Sequence, residues 1–527
     1  MEDGRRDKRL MAGFKNKLWL SVFAASACMS SAADTNSFGS ATNALERPIS
    51  LAEAINSALA KNLEVKIERL GPAKARYNLD AAYAGYEPTL DVNGTRSFST
   101  SPGGLDAQNR PFPGTTSHSD SFSAGVGGKL PTGLRIDMST AADDTFGNNP
   151  TAFENSSANA TLNLRQPLLR NFWFDSTWYQ IHLARKDLKI SEENLRLRLI
   201  DIVSRVVAAY YDLALAEEDV RVQLSGIALA ERLVAGNRER VTAGRAAPIE
   251  VKQAEAQLAA RQADLLVARR LLSVNETLLK TLLTDEYTGL DAVRLTPSDL
   301  LQVQPEAHEL NEERKHALTE RPDLKQARLD LEKRGITLKY QWNQRLPQLD
   351  AVGSYGQIGT GREFNDAYNG VRKGDSPTYS YGLMLSLPLG NRAARSAYKF
   401  AKADEQESLL RLKKLEQDVL AQVDDALNLV QITFKRAEAT KQARVFAEET
   451  LAAEQQQFDA GKSTSYFVLQ YQQQLTLAKL NEIAAIADYN KALDQLAFRA
   501  GTILERHHLA IDAPVTEAKN TIIPAKN

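Results

Sequence analysis

Few side chains in this sequence are spaced for chemistry. The six histidines stand at 118, 182, 308, 316, 507 and 508, with no HExxH or comparable ligand spacing. His507 and His508 are adjacent in a polar tail, so they do not share a helix face as paired metal ligands do. Cys28 is the only cysteine, which excludes intrachain disulfides and cysteine-based zinc sites. The run Ala25-Ser-Ala27-Cys28 has two readings. Either Cys28 is acylated as in a lipoprotein signal, with Ala25 where such signals carry leucine, or cleavage falls near Ala33. Glu53, Glu64 and Glu68 read as solvated helix faces. No catalytic or metal site and no cofactor is implied, and the chain does not read as an enzyme.

The informative spacing is that of proline and glycine. No proline occurs in 168–247 or 389–513 of the 527 residues, which requires very long helices. Apolar residues make up 43% and charged residues 25%, a composition foreign to disorder and to polytopic helical membrane proteins. With 65 basic and 66 acidic residues the net charge is −1, which gives no reason to expect nucleic acid as a partner. Residues 1–33 carry a basic segment (Lys15, Lys17), an apolar stretch from Leu18 to Cys28 and small residues at Ser31–Ala33. That is the pattern of a secretory signal peptide. No later stretch is apolar for 18 residues, so no helical membrane span is expected.

The chain is a duplication. Residues 58–91 align with 317–350 at a constant offset of 259, with 10 of 34 positions identical, Pro88/Pro347 among them. Chance would give roughly two. Thr242-Ala-Gly244-Arg245 matches Asp459-Ala-Gly461-Lys462, and Gln166-Pro167-Leu168 matches Leu387-Pro388-Leu389. Each half (50–283 and 310–500) therefore runs helix, proline, polar alternating region, proline, long helix, glycine turn, shorter helix. Segments 284–309 and 501–527 lie outside the repeats.

Within 174–243, Leu195, Leu199, Ile202, Val206, Tyr210, Leu213, Val220, Leu224, Ile227 and Val234 recur at steps of three and four, as in a coiled-coil seam. A second stripe, Ile200, Val203, Val207, Tyr211 and Ala214, predicts neighbours on both sides, as in the wall of a helical barrel. Seventy helical residues span about 105 Å. Helices 247–283 and 50–87 are each about half as long, and end to end they match it. The second half repeats this with 391–459, 465–500 and 310–345. Tight turns at 242–248 and 459–465 need a positive φ, which suits Gly244 and Gly461.

Between the prolines the pattern becomes strict alternation. Leu90, Val92, Gly94 and Phe98 face one side, interrupted by Arg96, while Thr89, Asp91, Asn93 and Ser97 face the other. Such runs of about ten residues fit transmembrane β-strands. A soluble half-buried sheet gives the same alternation. Aromatic residues cluster where helix meets strand: Tyr83, Tyr86, Trp173, Trp178, Tyr179, Tyr340, Trp342, Tyr398 and Phe400. They read as an interfacial belt or as packing at the end of a bundle. Strands in 89–166 must be even in number for the chain to return to the helices at Pro167. We read four, with Pro131-Thr132-Gly133 as the inner turn, and two more in 349–387. Six strands cannot close a membrane barrel, so several chains must share it. Three chains supply 18 strands, or 12 if hairpin 119–145 stands outside.

Leu51-Ala-Glu-Ala-Ile55-Asn-Ser-Ala-Leu59-Ala-Lys-Asn62, Tyr86-Glu-Pro-Thr-Leu90, the Gln166-Pro-Leu-Leu169 strand exit and the Ala243-Gly244 and Ala460-Gly461 tips resemble the TolC-like outer-membrane efflux proteins of Gram-negative bacteria. The resemblance covers about 50–500. It implies an α+β membrane protein: a homotrimeric β-barrel in outer-membrane lipid, continued by an α-helical tunnel through the periplasm. Residues 284–309 and 501–527 would belt the tunnel. Pro88, Pro167, Pro347 and Pro388 would mark the helix–strand junctions. Gly244, Arg245, Gly461, Lys462, Ser463 and Thr464 would dock a periplasmic adaptor that couples the channel to an inner-membrane transporter of RND or ABC type. Family members often ring the periplasmic constriction with carboxylates six and nine residues past the second tip glycine. Here those positions are Phe467 and Gln470, and only Glu250 of the first hairpin retains a carboxylate. The implied function is a passive exit duct for small toxic compounds. Alternatives are the duct of a type I protein secretion system and, in another class, a trimeric coiled-coil adhesin or stalk. The duplicated helix–strand–helix order argues against the stalk.

Overall fold

A computed structural model describes residues 45–148, 155–290, 293–299 and 301–509. The signal-like segment with Cys28 and the tail beyond Leu509 lie outside the described residues. In chain order the elements are β1 (Leu45–Ile49), α1 (Leu51–Lys61), α2 (Leu63–Tyr83), β2 (Thr89–Ser101), β3 (Gly104–Leu105), β4 (Pro111–Phe112), β5 (Thr115–Lys129), β6 (Arg135–Gly147), β7 (Asn155–Pro167), α3 (Ser176–Thr242), α4 (Pro248–Leu283) and β8 (Val293–Pro297). The second half follows as α5 (Leu310–Glu320), α6 (Pro322–Gln344), β9 (Gln348–Gly361), α7 (Phe364–Lys373), β10 (Pro377–Ser386), α8 (Arg392–Asp459), α9 (Ser465–Ala500) and α10 (Ile503–Arg506).

The helix starting near residue 50 is not continuous, and neither is its counterpart from 310. Asn62 leaves helical geometry (φ −55°, ψ 130°), and its Oδ1 accepts the Glu64 and Val65 N–H groups, at 2.7 and 3.3 Å. Its amide donates to the Leu282 carbonyl at 2.9 Å. Asn62 therefore ends α1 and caps α2. Arg321 occupies the same position of the repeat and is extended (ψ 125°), because Pro322 bars the residue before it from α-helical geometry. The duplication includes the break, but its chemistry differs between the halves.

The long helices run as expected. The 67 residues of α3 span roughly 100 Å. Asp175 caps α3 by accepting the Trp178 N–H at 2.8 Å. Leu199, Ile202, Val206, Tyr210 and Leu213 are buried, and so are Ile200, Val203, Val207 and Ala214, so two faces are covered. Helices α1, α2 and α4 pack along one stretch of neighbours, α6 and α9 along another. Toward the tip the seam moves. Leu224 is 46% exposed, and Val222, Gly226, Ala230 and Leu233 are buried instead. A straight helix drifts about 20° per heptad against a 3.5-residue seam, which turns Leu224 out of the contact while Val234 of the same stripe stays buried. Around Tyr210 the core also takes in Leu279 and Leu283 of α4, Leu295 of β8 and Ile503 of α10. Strand β8 pairs in parallel with β1.

The six strands form one antiparallel sheet in the order β10-β9-β7-β6-β5-β2. Hairpin β5–β6 therefore lies within the sheet, which removes the 12-strand count. The register carries the alternation across strands: Leu90 opposes Val126, Val126 opposes Met138, Met138 opposes Leu162, Leu162 opposes Tyr355 and Tyr355 opposes Tyr379. One face thus carries an apolar row across all six strands, which gives way toward the outer loops to Arg96, Asp120 and Asp144. The other presents Asp91, Asp137, Asn163, Ser354 and Ser380. Edge strands β2 and β10 are exposed along their whole length. The connection between β9 and β10 contains α7.

Candidate functional site

The two tips have one backbone design. At the first, the Gly244 N–H donates to the Val241 carbonyl (3.0 Å) and the Arg245 N–H to the Arg240 carbonyl (2.8 Å). At the second, Gly461 donates to Phe458 (3.0 Å) and Lys462 to Gln457 (2.9 Å). This paired bonding satisfies the last carbonyls of α3 and α8 and requires a left-handed residue. Gly244 and Gly461 supply it with φ of +69° and +73°. No atom lies within 4 Å of where a Cβ would stand on either glycine, so conformation alone demands glycine there. The side chains of Arg245, Lys462 and Thr464 are exposed, and the Ser463 hydroxyl donates to Glu454.

Side chains tie the tips together. Glu250, in the first turn of α4, accepts the Ser465 hydroxyl from the start of α9 at 2.9 Å. Arg240 of α3 donates to the Phe458 carbonyl at 3.1 Å, and its guanidinium lies 3.6 Å from the Phe458 ring centroid. Val468 is fully buried with Leu233, Leu451, Phe458 and Leu475, while Phe467 is 45% exposed and Gln470 is exposed. The structure thus brings Glu250 to Ser465 and leaves Phe467 and Gln470 on an open face. No local sequence pattern marks Ser465 or Arg240, because each acts on the opposite hairpin, more than 200 residues away.

Pro88 precedes β2, Pro167 ends β7, Pro347 precedes β9 and Pro388 follows β10. The return at Pro167 is built by buried polar groups. Fully buried Asp175 accepts the Tyr86 hydroxyl at 2.8 Å and pairs with Lys129. Buried Asn343 accepts the Asn171 N–H at 2.8 Å, and Arg170 donates to Gln344 at 2.8 Å. Asn171 and Trp173 take positive φ to make the bend. The aromatic cluster divides in two. Tyr179 stacks on Tyr340 at 4.5 Å within the junction, while Trp173, Trp342 and Phe400 are at least half exposed.

Glu64 keeps 41% of its side chain exposed, as a solvated helix face would, but it is also engaged by charge partners. Its Oε2 accepts Arg198 at 2.5 Å and also Arg205, and both arginines pair with Asp201. Arg205 above all, then Arg198, holds the Glu64 carboxyl below the ordinary carboxylate range. His507 faces buried Asp494 at 3.1 Å, beside Arg506, which also donates to Glu306 at 2.8 Å. Among the described residues no group of three or more His, Cys, Asp or Glu is arranged to hold a metal.

The sequence profile of the outer membrane efflux proteins matches residues 54–284 and 314–502. Outer membrane protein TolC of Vibrio cholerae is 24% identical over 375 residues, covering 69% of this chain and 82% of that protein. Proteases secretion protein PrtF of Dickeya chrysanthemi is 24% identical over 377 residues, covering 71% and 79%. The crystal structure of a membrane protein from Pseudomonas aeruginosa superimposes with a TM-score of 0.63 at 19% identity, over 86% of this chain and 90% of that one. The two profile matches fall on the two halves of the duplication and together take in both tips, α3, α4, α8 and α9. On this ground the chain belongs to the outer membrane efflux protein family, whose members are outer-membrane channels and not enzymes.

Proposed function

We propose that three copies of the chain close one barrel and one tunnel to form the passive outer-membrane exit of a tripartite efflux system. The observation that carries this reading is the single sheet of six strands, apolar on one face, with β2 and β10 both open. An open edge cannot persist in lipid, and six strands are too few to close. The helical layer needs the same completion. Its lateral members are α8 on one side and α2 with α4 on the other. Both expose large apolar side chains: Leu410, Ile432 and Phe446 against Ile67, Tyr77, Leu266 and Val274. Neighbouring copies would cover both faces, and the cylinder would then end at three pairs of glycine tips.

The tips dock a periplasmic adaptor, and an inner-membrane transporter of RND or ABC type supplies the energy. Small toxic compounds are the exported class. Similarity to a protein named for protease secretion favours a second reading, the duct of a type I secretion system. Deletion in the native host separates them. Increased sensitivity to dyes, detergents and antibiotics with an unchanged secreted proteome supports efflux. Loss of a secreted protein with unchanged sensitivity supports secretion and overturns the efflux assignment.

A further inference from the structure

Helix α7 lies on the apolar face of the sheet. It packs on β6, β7 and β9 at the end of the sheet far from the helical tunnel. Gly359 opposes Ala158, which opposes Ala142, and by two-residue alternation all three share the face of Met138, Leu162 and Tyr355. Buried Ala367 rests on these small residues, with Val371 packed beside it. A Cβ at Gly359 would collide with the Ala367 carbonyl, and a Cβ at Gly361 with Asp366. The bed of glycine and alanine therefore lets the helix backbone sit directly on the strands. Gly374 (φ +74°) ends the helix, with its N–H on the Gly370 carbonyl at 3.3 Å.

Phe364, Ala367, Tyr368 and Val371 recur at three- and four-residue steps, but only Ala367 and Val371 are used against the sheet. Phe364 and Tyr368 remain 49% and 53% exposed. Arg372 and Lys373 occupy the last turn, and Arg362 precedes the first; all three are exposed and form no ion pair among the described residues. Eleven residues of β9 separate Gln348 from Gly359, about 36 Å along the strand and roughly 28 Å along a barrel axis at ordinary tilt. An outer-membrane barrel has an apolar band about 25 Å tall. Measured from exposed Trp342 and Trp173 at the tunnel end, α7 therefore stands at the opposite interface. It is set behind β10, the edge strand a neighbouring copy would pair, so a second copy is not its natural cover.

We propose that α7 is an interfacial membrane anchor. It lies flat in the headgroup layer of the outer leaflet, with Phe364 and Tyr368 in the acyl boundary and Arg372 and Lys373 on lipid phosphates. The inference rests on the membrane-channel reading. It adds a lipid contact outside the barrel wall, placed by an outer loop that would otherwise be exposed to solvent.

The test uses nitroxide labels on Phe364→Cys, Tyr368→Cys, Tyr381→Cys and Gln108→Cys, each in full-length Cys28→Ser protein reconstituted in phosphatidylcholine vesicles with or without phosphatidylglycerol. Tyr381 is on the apolar sheet face and 86% exposed, and Gln108 is in an outer turn. Labels at 364, 368 and 381 should collide more with oxygen than with a water-soluble nickel chelate, and the label at 108 the reverse. If 364 and 368 behave like 108 while 381 stays in lipid, the anchor is wrong and the channel stands. If 381 is also in water, the membrane reading of the sheet fails as well. Arg372→Gln with Lys373→Gln should shift the 368 label toward water in phosphatidylglycerol vesicles only. An equal response in both lipids would overturn the phosphate contact.

Discussion

At the residue scale, the tips and the Glu64 clamp differ in kind. Gly244 and Gly461 stand in open space with positive φ, so a larger side chain is opposed by backbone conformation and not by a clash. Gly244→Val and Gly461→Val should each cost about 1–3 kcal/mol of local strain. Export should fall sharply while oligomer formation and membrane insertion are retained, and Gly→Asn should keep most of the export. An efflux assay with heat-modifiability on gels reads both; export unchanged in both valine variants would refute the docking role. Glu64 joins α2 to α3 through two arginines that are themselves partly exposed, so the clamp contributes at most about 1 kcal/mol after solvent screening. Its pKa is depressed in the folded protein from an ordinary 4.5. The contribution is therefore complete above that value and lost as pH falls through the folded pKa. Glu64→Gln should lower the melting temperature at pH 7 and flatten its decline below about pH 4.5, as followed by circular dichroism.

At the scale of elements, the sheet and the hairpins make separate demands. The register puts Met138 on the apolar face and Asn163 on the polar face of adjacent strands. With the apolar face in lipid and the polar face toward a lumen, as proposed, Met138→Arg should cost about 2–4 kcal/mol, whereas Asn163→Arg should be close to neutral. Urea titration of folding into vesicles measures both, and equal losses would show that the faces are misassigned. At the hairpins, a proposed constriction formed by Phe467 and Gln470 has no free carboxylate, and Glu250 is engaged by Ser465. A phenyl ring and an amide attract multivalent cations weakly compared with a carboxylate ring. Single-channel conductance should thus resist a trivalent cation on the periplasmic side, and Gln470→Asp should create block. Strong block of the unaltered protein that persists in Glu250→Gln would reject this entrance.

At the scale of the whole molecule, the single chain is incomplete at every level. Its sheet has two open edges and its helical layer has two apolar flanks. The expected species in detergent is a trimer that resists dissociation, because both the edge hydrogen bonds and the flank contacts would have to break together. Light scattering should give three times the mass of the chain, and a folded, monodisperse monomer would overturn the closed barrel.

The sequence by itself determined what depends on local covalent and periodic constraint. The proline-free runs 168–247 and 389–513 became α3 and α8, because nothing in them interrupts a helix that buries two faces. Gly244 and Gly461 marked the tips because positive φ is a property of one residue. The 259-residue offset and the alternation after Pro88 marked the duplication and the four strands between Pro88 and Pro167. Tertiary structure decided what depends on distant partners. Asn62 stops a helix because its amide finds the Leu282 carbonyl, and Glu64 is engaged because Arg198 and Arg205 arrive on another helix. Leu224 emerges to solvent because the seam rotates against neighbours that the stripe could not specify. Hairpin β5–β6 joins the sheet through register with β2 and β7, and α7 forms where Gly359 and Ala158 leave room for its backbone. The Asn62–Leu282, Glu64–Arg198 and Gly359–Ala158 contacts span 220, 134 and 201 residues, separations at which periodicity no longer carries positional information.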